Sequence, residues 1–180
     1  MIDPIKYYNL EQFLFNDVRK RFHKKHSIGA FDFFSIIIWK SNRSKSKVAK
    51  RLLNKTKGSD LEQISRSISA GIAKAKTDKD KMKCLIVDWG FKLAIASAIL
   101  TILYPDRFTI YDYRAAGQVK EGEKLKNEVE FEEIWAGYVA FMGKGAAIPH
   151  GKNLREKDYY LFGKSRMEDL NADLKNGFKK

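Results

Sequence analysis

Between Gly90 and Pro105 the sequence leaves little choice of structure. Leu93 to Leu103 carries only apolar and small hydroxyl residues, Gly90 provides a turn before it, and Pro105 cannot continue a helix. The stretch reads as an apolar helix ending near Val87, a short turn at Gly90, a small-residue helix, and a break at Pro105. Phe108-Thr109-Ile110-Tyr111-Asp112-Tyr113-Arg114 follows, placing a carboxylate on a loop between apolar residues. A carboxylate in such a place needs a reason.

Two roles fit Asp112. An Asp ahead of a new helix caps it, accepting from one of the first orphan N–H groups. Alternatively the carboxylate faces a cleft, with Ile110 and Tyr111 limiting its hydration and Arg114 holding it ionised, placed to stabilise positive charge or orient a water. Spacing is compatible with both.

The rest of the chain reads as helices. Met1 to Tyr8 is a short arm containing Pro4, and Asn9 caps a helix with Leu10, Phe13, Leu14 and Val18 at helical spacing. Arg19, Lys20, Arg21, His23, Lys24, Lys25 and His26 crowd its end, where cations are favourable, and the two histidines do not by themselves make a metal site. Phe31 to Trp39 is almost continuously apolar and fits a strand or a buried helix. Helix is preferred, because no second strand is on offer and an unpaired strand would leave its hydrogen bonds unmade. After the polar loop Lys40 to Lys45, Ser44 or Ser46 caps a helix bearing Val48, Ala49, Leu52 and Leu53. Lys57 to Asp60 breaks the chain, Leu61, Ile64, Ile68 and Ile72 make the next apolar stripe with Gly71 as its weak point, and Thr77 starts a further helix whose closing Trp89 is assigned to the core.

Glu121, Glu123, Glu128, Glu130, Glu132 and Glu133 form the acidic portion. Phe131, Ile134, Trp135, Tyr138 and Phe141 describe an aromatic core face, and Gly143-Lys144-Gly145 reads as a flexible break lacking the spacing of a phosphate-binding loop. His150, alone in its loop, is assigned no catalytic role. The last helix runs from about Leu154 to Lys175 with Tyr159, Leu161, Phe162, Met167 and Leu170.

The formal charge of +13 makes a polyanion, most simply nucleic acid, the expected partner. Lys40, Arg43, Lys45, Lys47, Lys50, Arg51, Lys55 and Lys57 are the densest basic segment and should lie along a nucleic-acid backbone. No apolar run is long enough to span a bilayer and no signal peptide is evident, so a cytoplasmic, nucleoid-associated monomer is expected. Cys84 is the single cysteine, expected as a buried thiol, which excludes an internal disulfide or an all-cysteine cluster within one chain.

Gly90 with the small-residue helix behind it, Pro105, and the Phe108-x-Ile110-x-Asp112-x-Arg114 run resemble the helix-hairpin-helix DNA glycosylase superfamily. The resemblance covers about Phe31 to Ala115, and more weakly Asn153 to Leu170, where Lys157-Asp158-x-x-Leu161-Phe162 is similar to the family's closing helix. It implies an all-α, two-lobed bundle with a DNA groove, an altered base rotated out of the stack, and N-glycosidic cleavage with Asp112 as the catalytic carboxylate. No metal and no cofactor are implied. Gly90 falls where the first hairpin glycine is expected, but Lys92 stands in place of the second, so phosphate contact there would use a side-chain charge rather than close backbone approach. The family's lyase lysine falls on Ala94, which implies a monofunctional enzyme unless Lys92 takes that role. By the same resemblance Asn42 and Arg43 are candidates for strand intercalation or phosphate contact, with Lys45 and Lys47 beside them, and Trp39, Tyr111 and Tyr113 are candidate walls of the base pocket. The rival expectation is a non-catalytic nucleic-acid-binding protein that keeps the fold without the chemistry.

Overall fold

Helix signals in the sequence translate directly into caps. The computed structural model describes residues 3–58, 60–119, 125 and 130–178, and all the regular structure among them is helical. Helix α1 (Pro4–Tyr8) begins with Pro at its first turn and is capped by Asp3, whose carboxylate accepts from the Ile5 N–H at 2.9 Å. The expected arm is thus a helical turn, because that proline is pre-set for helix and the Asp supplies the cap. Asn9 caps α2 (Leu10–Phe13), which continues through a π turn, Leu14–Val18, into α3 (Arg19–Lys25). His26 ends it in the left-handed region, with φ 54°.

The apolar run after Gly29 is α4 (Ala30–Ser41), helical as its neighbours required. Its first turn is capped from another helix: the Ala30 N–H donates to Glu62 Oε2 at 2.6 Å. A Cβ at Gly29 would meet that carboxylate and displace it. A single 3-10 turn, Asn42–Ser44, leads into α5 (Lys45–Lys55). Ser44 holds the cap position without capping, since its hydroxyl is paired with Ser41 at 2.8 Å.

Asp60 caps α6 (Leu61–Lys74), and Thr77 with Asp80 forms a reciprocal capping box on α7 (Asp78–Lys83). Helix α6 runs unbroken through Gly71, whose bare Cα lets Cys84 Sγ approach, and the buried thiol is pushed up to about 11 by desolvation. A second π turn, Cys84–Asp88, precedes Gly90, and α8 (Leu93–Leu103) follows. From Ala96 to Leu103 every α8 residue is buried. Phe33, Ile36, Ile37, Ile68, Ile72, Met82 and Leu85 complete this core. His23 Nε2 lies 2.8 Å from the Leu103 carbonyl at the end of α8. These elements form one unit, Met1–Tyr104. Trp89, expected in its core, is only half-buried at the turn.

Pro105–Lys180 is a second unit, holding α9 (Tyr113–Gln118), α10 (Phe131–Ala147) and α11 (Leu154–Lys175). Glu121, Glu123 and Glu128 of the acidic portion lie outside the described residues. Helix α10 runs unbroken through Gly143-Lys144-Gly145, contrary to the expected break. Phe141 and Gly145 are buried, and a Cβ on Gly145 would lie 3.9 Å from Leu161, so packing overrides the weak local preference of glycine. Of the apolar residues of α11, only Leu161 enters the core, while Tyr159, Phe162, Met167 and Leu170 are exposed. Among the described residues no helix is long and apolar enough to cross a membrane.

Gly143 has nothing within 4 Å of where a Cβ would sit. Gly143→Ala therefore raises the unfolding free energy by about 0.5–1 kcal/mol, read as an increased urea midpoint with unchanged slope.

Candidate phosphate-binding groove and the Asp112 loop

The π turn widens the helix end that leads into the hairpin. The Trp89 N–H reaches the Cys84 carbonyl at 3.1 Å, five residues back, and the Phe91 N–H reaches the Leu85 carbonyl at 2.9 Å, six back. That wide closure turns through Gly90 at φ +67°, a left-handed cap of the kind glycine adopts without penalty. Phe91 then drops into the core at 2 % exposure, and Lys92 opens α8 with no side chain capping the helix's N–H groups.

One turn of α5 faces this hairpin. Residues 44, 47, 48 and 51 share a helix face, and Ser44, Lys47, Val48 and Arg51 line an open groove of about 190 Å³ with Phe91, Lys92 and Ile95. Arg51 joins the two sides. Its Nη1 donates to the Gly90 carbonyl, and its guanidinium lies 5.0 Å from the centre of the Phe91 ring. Partial burial lowers the guanidinium from its ordinary value without discharging it. Three cations therefore surround a small apolar floor beside a helix N-terminus, whose partial positive charge has the same sign. The groove thus has the chemistry of a candidate anion site.

Of the residues singled out in the sequence, the groove brings Lys47 and Lys92 together next to Gly90. Asn42, Arg43 and Lys45 do not line it. They sit exposed at the entry to α5, where Lys45 Nζ donates to Asn42 Oδ1 at 2.7 Å. Arg51 was one basic residue among eight by sequence; its position four residues after Lys47 and three after Val48 is the signal that singles it out. Trp39 is half-buried, edge-on to Phe15 at 6.0 Å. Among the described residues no cluster of His, Cys, Asp or Glu could hold a metal ion.

In the second unit, residues 108–112 lead without regular structure into α9, with Asp112 extended. Asp112 caps that helix, accepting from the Arg114 N–H at 3.0 Å. The guanidinium of Arg114 does not hold the Asp112 carboxylate as expected; it pairs with Asp169 and lies 5.2 Å from the Tyr113 ring centre. The reason is the start of α9, which turns the Asp112 carboxylate back to its own first-turn backbone. Ile110 and Tyr111 are buried, as an apolar frame requires, Tyr111 against Phe141 at 5.2 Å, while Tyr113 is 60 % exposed.

The loop itself is held by two buried polar side chains. The Thr109 N–H donates to the Tyr138 hydroxyl at 3.2 Å, and that hydroxyl donates to the Thr109 carbonyl at 2.6 Å. Asp158 accepts from the Ile110 N–H at 3.2 Å and from the Thr109 hydroxyl. Arg155 lies 3.5 Å from the same carboxylate. Desolvation nevertheless raises Asp158 above its ordinary 3.8. The sequence pattern on the closing helix included Asp158 without assigning it this role.

The chain matches no protein-family model, no curated protein and no solved structure.

Two measurements probe this geometry. A Cβ on Gly90 would meet Arg51 only at an ordinary 3.5 Å, so Gly90→Ala carries the backbone cost alone, about 1–2 kcal/mol lost in urea unfolding. Because folding raises the Asp158 carboxyl above 3.8, its contribution is fully present below that value and is lost as pH rises through the raised one. Urea unfolding from about pH 3.5 upwards then shows wild type losing stability relative to Asp158→Asn, whose carboxamide does not titrate.

Proposed function

We propose that this chain binds DNA and acts as a monofunctional DNA glycosylase, with the Gly90 groove gripping the phosphodiester backbone and Asp112 serving the reaction. The observation that carries the binding part is the convergence of Lys47, Arg51 and Lys92 on one small groove at the start of α8. A phosphate there replaces condensed counterions and gains charge-assisted hydrogen bonds from side chains. We read α7, the turn at Gly90 and α8 as the helix-hairpin-helix element. Lys92 and the Arg51 clamp would supply by charge what a second glycine supplies by closeness.

The catalytic part is supported by the loop. Two buried polar side chains fix residues 109 and 110, and so fix where the next carboxylate sits, the kind of support an acid–base group requires. In the reaction, water adds to the sugar C1′ as the C1′–N bond breaks with its electron pair leaving on the base. Asp112 stabilises the positive charge that develops on the sugar and takes the proton of the attacking water. Ala94 at the lyase position supports a reaction that stops at the abasic site.

One observation favours the binding-only alternative: the Asp112 carboxylate already serves α9 as its cap. The experiment separates the two. On duplexes each carrying one altered base, the wild-type chain is expected to give strand cleavage only after hot alkali, and Asp112→Asn to abolish it while duplex affinity is kept. Intact duplexes with salt-sensitive binding would leave binding alone. In either case Lys47→Gln with Lys92→Gln is expected to flatten the dependence of log K on log salt by about 0.9 for each phosphate that is no longer neutralised. An affinity indifferent to salt would remove both readings.

A further inference from the structure

Helix α11 has two different faces. Asp158, Leu161 and Ser165 are buried on one, and from Arg166 to Lys175 every residue is exposed. About half a turn from the buried face lies an apolar stripe, Tyr160, Gly163, Met167, Leu170 and Leu174, with successive steps of 3, 4, 3 and 4 residues. Met167 is 68 % exposed, Leu170 52 % and Leu174 59 %. Those steps are the 3.5-residue repeat of a helix that pairs with another helix. Side chains of this size left in water forfeit the free energy that burial against a partner would give.

The charges on α11 indicate what covers it. In a chain of +13, this helix carries five cations (Arg155, Lys157, Lys164, Arg166, Lys175) against four carboxylates outside the core (Glu156, Glu168, Asp169, Asp173). A nearly balanced surface is poor for a polyanion and good for a second copy, because two strongly basic chains approach there with the least repulsion. We propose that the exposed face of α11 is a self-association surface on which two copies pair antiparallel.

The register follows from the stripe. A two-fold axis between Glu168 and Asp169 sets Met167 of each copy against Leu170 of the other, and Leu174 against the gap left by Gly163. Arg166 and Asp173 are heptad equivalents, each immediately before an apolar stripe residue. In the antiparallel arrangement the same flanks of the two helices adjoin, so Arg166 of one copy faces Asp173 of the other, twice per dimer. A parallel pair would set Arg166 against Asn171 and form no ion pair. Shape and charge therefore select one orientation.

The test needs no nucleic acid, so its result is independent of the DNA reading. Sedimentation equilibrium in about 0.15 M salt, where repulsion is screened over ~8 Å, is expected to show the mass rising with concentration towards twice 20.8 kDa. Leu170→Glu is expected to hold the chain at monomer mass with an unchanged helical circular dichroism spectrum. Arg166→Asp alone and Asp173→Arg alone each weaken the dimer about tenfold, and the double exchange restores it, since two rim pairs are broken and then re-formed. A monomer at every concentration overturns the proposal, and that includes the case in which a different protein covers the stripe. A dimer indifferent to Leu170→Glu overturns it too, and singles that the double exchange does not rescue overturn the antiparallel register.

Discussion

Every buried N–H and C=O must find a partner, and residues 108–111 are buried outside any regular element in a protein whose described regular structure is all helix. Among the described residues no strand lies beside them to pair with. Two side chains stand in for one: the Tyr138 hydroxyl bonds both backbone groups of Thr109, and the Asp158 carboxylate takes the Ile110 N–H. Removing either partner would strand a buried polar group at a cost of about 1–3 kcal/mol. The start of α9 and the placement of Asp112 both depend on this substitution of side chain for strand. So does the packing of α10 and α11 around the loop, since Tyr138 comes from one and Asp158 from the other.

Two arginines have a comparable part in the first unit. The Arg51 guanidinium bonds a carbonyl at its edge while its flat face covers Phe91, and Arg21 does both with Asp32 and Phe13. These arginines tie separate elements together. Lys47 and Lys92 instead bring charge to a surface on elements the arginines have already fixed. A high net charge thus separates into cations that build the fold and cations that face outward.

The helices were readable because their ends are written in local chemistry. Asn9, Asp60, Thr77 and Asn153 cap where the sequence places a polar residue before an apolar repeat, and the Phe31 to Trp39 run is helical because a lone strand was physically excluded. Other features have no residue signature. Neither π turn is marked by composition, and α10 continues through Gly143 and Gly145 with Phe141 and Gly145 buried in its core face. Periodicity located the apolar positions of α11 but not which of them face the core, since Leu161 and Leu170 look alike in a sequence and lie on opposite sides of the helix. At the candidate sites, Gly90, Lys92 and the capping of Asp112 were legible from local pattern. The Arg51 clamp and the Asp158 buttress were not, because each joins residues more than thirty positions apart.

The π turn before Gly90 has an evolutionary consequence. Such a turn is an α-helix that has absorbed one extra residue, and each residue rotates the chain by about 100° around the axis. Losing one residue between Cys84 and Asp88 would restore ordinary helix while swinging everything after it a little over a quarter of a circle relative to α7. Gly90 and Lys92 would then leave α5, and the groove would open without any change in its lining residues. Within this stretch a single-codon insertion or deletion, rather than a substitution, is the step that could gain or lose the groove at once.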